Sequence, residues 1–172
     1  MAARTSPAIV LRFRDLVTEA GGTISEHRKV ARQRGHVWWG WWRRQSEHIP
    51  KAMLTELFHI VPASVPIVLF DSGTLELHAT RATHVVVAPS IVGIHTPEFD
   101  ATPEYYLRGH YPLWFRLEKE IAPLSIQSLD IVGRPTTDQD ADHLPTGEAR
   151  EKMSLEALRD DRPTLWLAQP FA

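Results

Sequence analysis

The segment Gly35 to Trp42, Gly-His-Val-Trp-Trp-Gly-Trp-Trp, holds the residues best suited to grip a ligand. Four of the six tryptophans stand at positions 38, 39, 41 and 42. β-Branched and aromatic residues cluster here, so His36 to Trp42 reads as a strand. Side chains on a strand alternate. Val37, Trp39 and Trp41 share one face; His36, Trp38 and Trp42 share the other. Same-face neighbours stand about 6.6–6.8 Å apart, near the gap that holds a flat ring between two others. Trp39 and Trp41 could therefore sandwich a planar group. On the opposite face Gly40 leaves a notch between Trp38 and Trp42, where a ligand could lie against bare backbone. Either geometry suits a nucleobase or a methylated cation. Rings of this size also make ordinary core, and one face is expected to do so.

Other chemistry is weakly signalled. Nine histidines are scattered, with no His-Glu-x-x-His spacing. His78 and His84 could meet near Glu76 across a hairpin. Asp138-Gln139-Asp140-Ala141-Asp142 opens like a calcium loop, but His143 and Ala149 stand where glycine and glutamate are needed. No phosphate loop, nucleophile elbow or convincing carboxylate pair is present. No metal site, no cofactor and no catalysis are expected. Without cysteine, disulfides and thiolate chemistry are excluded. A second aromatic set, Tyr105-Tyr106 and Trp114-Phe115, flanks Arg108 and His110. It reads as a lid over the tryptophan strand or as plain loop anchoring.

These residues need elements to position them. Ile9 to Phe13 reads as a strand interrupted by Arg12 and Arg14. Gly21-Gly22 is a turn. Thr23 and Glu26 have capping-box spacing for a helix to Arg34, with Gly35 as its stop. Pro50 opens a second helix, apolar along Met53, Leu54, Leu57, Phe58 and Val61, which Pro62 and Pro66 end. Pro66 to Phe70 is a buried strand, and Asp71-Ser72-Gly73 turns it into a return strand. Leu75, Leu77 and Ala79 face one way; Glu76, His78 and Thr80 face the other. His84 to Ala88 continues past a bulge or forms a separate strand. Residues 91–110 form a long loop, and Leu113 to Leu117 another strand. Leu124 to Ile131 is a short helix or a strand. Asp138 to Thr146 is a polar, mobile loop. Met153 to Arg159 is a helical turn or two, and Thr164 to Ala168 a last strand. The fold class is α+β: a small, strongly curved antiparallel sheet or barrel with two to four short helices.

The chain has 172 residues, 43% apolar and 23% charged, with net charge -2. That fits one soluble domain over 1–172. Its core would span about 9–121, and 122–172 would be an extension holding the acidic loop and the last strand. No run nears the roughly 20 apolar residues that span a bilayer, so no membrane contact is expected. No secretory signal is visible either, and the cytoplasm is the expected location. Glu26 to Lys51 carries seven basic and two acidic residues; Asp138 to Asp161 carries eight acidic and three basic. Basic residues beside aromatics attract phosphates.

A Trp-x-Gly strand after a short helix, a second helix, a hairpin pair (Ile67 to Phe70, Thr74 to His84) and a later Tyr-Tyr and Trp-Phe segment resemble the PUA-like superfamily, especially its EVE and ASCH branches. The resemblance covers about Ile9 to Ile121. It implies a small curved barrel that binds nucleic acid or a modified base in an aromatic pocket. The Gly-Asp opening expected of the main hairpin is missing; Val65-Pro66 stands there. Arg12-Phe13-Arg14-Asp15, Glu26-His27 and Val37 to Trp42 are also similar to an N-terminal module of bacterial signalling or defence proteins. That implies a fused or associated effector domain. The expected function is a non-catalytic sensor or reader that stacks a nucleotide or modified nucleobase on Trp38, Trp39, Trp41 or Trp42 near Gly40 and His36. Arg43, Arg44 and Arg108 would meet phosphate, with Tyr105, Tyr106 and Trp114 alongside. The alternative is a protein-interaction module using the same aromatic surface to dock an effector or subunit. A third is an enzyme acting on nucleic acid through His36 or His78. Oligomeric state is open.

Overall fold

The computed structural model describes residues 6–16, 18–60, 64–138, 143–145 and 150–169. In chain order it contains β1 (Ala8–Phe13), α1 (Gly22–Arg34), β2 (His36–Gly40), α2 (Lys51–Ile60), β3 (Val65–Asp71) and β4 (Glu76–Val87). Then come 3₁₀ turns at Phe99–Ala101 and Glu104–Tyr106, β5 (Leu113–Glu118), β6 (Ala122–Leu124), β7 (Ser128–Gly133), β8 (Glu151–Ser154), α3 (Leu155–Asp160) and β9 (Leu165–Ala168). The strands run β2-β5-β4-β3-β1-β9-β7-β8 across one sheet, with β6 paired to β4. This is the expected α+β class.

Two features depart from expectation. The β1–β3 pair is parallel, so the sheet is mixed. The sheet also stays open: β2 and β8 are its end strands, and no ladder joins them among the described residues. A buried side chain staples the segment after β2 to the segments that follow β7 and precede β9. Past Gly40 the chain leaves strand geometry, and the buried Glu47 carboxylate accepts from Thr136 Oγ1 beyond β7 and from Thr164 just before β9. The His48 N–H adds a bond to the Thr136 carbonyl at 3.0 Å.

β1 lies at the centre of the sheet and is packed on both faces, which is why it is nearly all apolar. Ile9, Leu11 and Phe13 join the main core with Val37, Trp39 and Trp41, beneath Ile24 and Ala31 of α1 and Met53, Leu54 and Leu57 of α2. Ala8 and Val10 face a second core with Phe70, Leu129, Leu158 and Trp166. β9 lies inside the sheet between β1 and β7, so residues 165–168 belong to its interior.

The expected capping box of α1 is replaced by a longer-range cap. The Asp15 carboxylate accepts from the Gly21 N–H at 2.7 Å and the Thr23 N–H at 3.2 Å. A carboxylate at a helix N-terminus also complements the helix dipole. Gly35 ends the helix in the left-handed region, φ 84°, with its N–H on Ala31. β4 runs on past His84 through a register shift between Ala82 and His84. Residues 124–131 resolve toward strands, and β8 precedes the short α3. Val61 and Pro62, and much of the acidic loop, lie outside the described residues.

Candidate functional site

The alternation along β2 holds: the face of Val37, Trp39 and Trp41 is core, and the opposite face is mostly closed by packing as well. Trp39 and Trp41 are each 1% exposed. Phe13 meets Trp39 edge-on at 5.3 Å between centroids, and His27 packs on it at 4.4 Å. These rings are packed into the core and present no open face to a ligand. Trp38 is also buried, and its indole N–H donates to Glu98 at 3.0 Å. His36 meets the same carboxylate at 2.9 Å. Trp114 is fully buried, with its N–H on the Ile94 carbonyl. The notch at Gly40 is filled by the protein itself: a Cβ there would meet the Tyr111 ring at 2.7 Å.

Trp42 alone of the four is substantially open, at 38% exposure. It sits beyond the end of β2, on the wall of a cavity of about 220 Å³. Its N–H donates to the Tyr106 hydroxyl at 2.9 Å, and its ring leans on Tyr111 at 5.7 Å. The indole is therefore held at a fixed angle rather than free to rotate. Tyr105 and Tyr106 complete the aromatic side, their centroids 4.6 Å apart. Burial raises both phenols above their ordinary value, so they stay neutral.

The other wall is cationic. Arg12 and Arg14 come from the end of β1, and Arg44 from the loop after Trp42. Arg44 is braced by bonds to the Asp161 and Arg162 carbonyls. Ser72 ties the cavity floor together, with its N–H bonded to the Phe13 carbonyl at 3.0 Å. Leu16 stands at the rim, 70% exposed.

Of the residues singled out in the sequence, Trp42, Arg44, Tyr105 and Tyr106 converge on this cavity. Arg43 spends its guanidinium on the Arg44, Gln45 and Glu47 carbonyls. Arg108 lines a separate, open groove with Glu19 and Glu104. His78 is buried, while His84 is exposed beyond the bulge and bonded to Thr83, so they do not converge. Among the described residues no group of three or more His, Asp or Glu could hold a metal. Sequence reasoning missed Arg12, Phe13, Arg14, Leu16 and Ser72. The available signal was the pair of arginines two residues apart at the end of an otherwise apolar strand, which places both charges at one strand end.

His27 underlies the aromatic side. It is fully buried, against Trp39 and edge-on to Tyr106 at 5.4 Å. Burial lowers it from 6.5 to about 4. The folded state therefore favours the neutral ring, and the unfolded chain binds the extra proton below pH 6.5. Stability is complete above that pH and falls as pH drops towards 4, by on the order of 3 kcal/mol. Denaturant midpoints at pH 7 and pH 4.5 test this. The His27→Gln variant should show a much flatter dependence; an unchanged slope rules out His27 as its source.

The architecture is one mixed sheet with α1 and α2 packed into one core, α3 into the other, and a cavity at the end of β1. The chain belongs to the Pua-like family, whose model matches residues 9–168. Nothing among curated proteins or solved structures matches it significantly. Among the described residues no helix is long and apolar enough to cross a membrane.

Proposed function

We propose that this chain is a non-catalytic reader or sensor domain that stacks a nucleotide or modified nucleobase on Trp42. The carrying observation is the fixed, part-exposed Trp42 ring facing a cavity with arginines on its other wall. The cavity is smaller than the 300–1,000 Å³ usual for drug-sized ligands. It suits one base rather than several. Family membership supports binding of a modified base in nucleic acid, and a cytoplasmic domain joined to an effector fits that role. Stacking on Trp42 predicts quenching of tryptophan fluorescence by a panel of nucleobases, nucleotides and modified oligonucleotides. An unchanged spectrum across the panel defeats the reading.

A protein-docking role has one observation in its favour: Leu16 is exposed at the rim beside Trp42. It predicts self-association or partner binding that Leu16→Ser abolishes. Sedimentation as a monomer, together with ligand quenching, favours the reader.

A further inference from the structure

The cationic wall lacks a counter-charge. Arg12 lines the cavity half-buried, and its Nη1 is buried without a hydrogen-bond partner. No ion pair reaches Arg12 or Arg14 among the described residues. Burial lowers Arg12 below the ordinary arginine value, with Arg44 and Arg14 adding repulsion.

The nearby carboxylates are engaged elsewhere. Asp15 caps α1 through Gly21 and Thr23. Asp71 accepts from the Gly73 and Thr74 backbone. Glu47 accepts from Arg44, Thr136 and Thr164. Asp161 is held by Arg134 and Trp166. Asp160 acts on Arg12 at longer range, but its own pair is with Arg159. A partly desolvated guanidinium without an anion is costly, and an anion supplied by a ligand offsets that cost.

Resting on the base-stacking reading above, we propose that the cavity takes a phosphate monoester of a planar base, its base on Trp42 and its phosphate against Arg12, Arg14 and Arg44. Three cationic side chains suit a dianion better than a single negative charge, and arginine's planar fork matches phosphate oxygens. The same chemistry is carried by a free nucleoside monophosphate and by the phosphorylated end of a strand.

The test is a fluorescence titration of the full chain with nucleosides, nucleoside 5′-monophosphates, and a short oligonucleotide with and without a 5′-phosphate. A monophosphate should bind roughly ten- to hundredfold tighter than its nucleoside, as charge-assisted hydrogen bonds warrant. That advantage should shrink with added salt. Arg12→Gln should reduce monophosphate affinity far more than nucleoside affinity. Arg14→Gln, at an exposed position, should do the same if Arg12→Gln fails to fold. Preference for the free monophosphate identifies a small-molecule ligand, and preference for the 5′-phosphorylated strand identifies a strand end; both support the proposal. Nucleosides binding as tightly as monophosphates, or a preference surviving both substitutions, overturns it while leaving base stacking intact. Binding of none of these compounds overturns both.

Discussion

Replacing Glu47 with alanine lowers the stability of the fold by roughly 3–5 kcal/mol, because several buried donors lose their shared acceptor at once. Glu47 is 2% exposed. Its carboxylate accepts from the Arg44 N–H at 2.9 Å, Thr136 Oγ1 at 2.6 Å, the Thr164 N–H at 3.0 Å and Thr164 Oγ1 at 2.6 Å. Truncation leaves these donors facing a void, each at a cost of about 1–3 kcal/mol where water cannot enter. Relaxation and hydroxyl rotation recover part of that sum. The Trp41 indole N–H donates to Thr164 Oγ1 at 2.9 Å, so the loss reaches the main core as well. For a domain of this size the melting temperature should fall by roughly 6–20 °C. Glu47→Gln keeps one acceptor but turns an N–H₂ toward the donors, so it should fall between. Thermal unfolding followed by circular dichroism decides the matter. A Glu47→Ala melt within about a degree of the parent refutes the staple role.

Replacing Trp42 with alanine removes the ring proposed to stack a base, together with its contacts to Tyr106 and Tyr111. Base stacking on an aromatic ring contributes roughly 1–3 kcal/mol, so affinity for a base-like ligand should drop about five- to 150-fold. Trp42→Phe keeps a stacking face and loses the bond to Tyr106, so it should recover part of the affinity. Titration followed by calorimetry, which does not depend on the altered fluorescence, measures both. Equal affinity in Trp42→Ala and the parent would show that the ligand lies elsewhere. The two variants are linked through one loop: Glu47 fixes the backbone of Arg44, which lines the cavity that Trp42 walls.

Much of the frame was legible because local rules act within short stretches. Gly35 stops α1 where a left-handed residue is needed, and the turn from β3 into β4 is held by the Asp71 carboxylate, which accepts from the Gly73 and Thr74 N–H groups. The split of the tryptophans into two faces followed from strand alternation alone. What could not be read was contact over long sequence separations. Asp15, not Thr23 and Glu26, caps α1 through the fold of the intervening loop. Tyr111, some 70 residues on, fills the Gly40 notch and so converts an apparent binding face into packing. The position of Trp42 depends on where the chain goes after β2 ends, which is set by Glu47 reaching Thr136 and Thr164. Arg12 looked like an interruption of a strand because its setting is made by residues distant in sequence, among them Trp42, Arg44, Ser72, Tyr105 and Thr164.

The pairing of β1 with β9, Ile9 against Leu167 and Val10 against Trp166, also sets a timetable for the nascent chain. β1 emerges from the ribosome early, yet one of its edges has no partner until residues 165–168 follow. At about 5–20 residues per second that delay is on the order of ten seconds. Through that interval an apolar strand with an open edge is exposed to chaperones and to neighbouring chains. Because its closing contacts are so distant in sequence, the sheet is expected to fold slowly and late. A ribosome-bound chain stalled before Thr164 should accordingly be far more sensitive to protease than one carrying β9 clear of the exit tunnel.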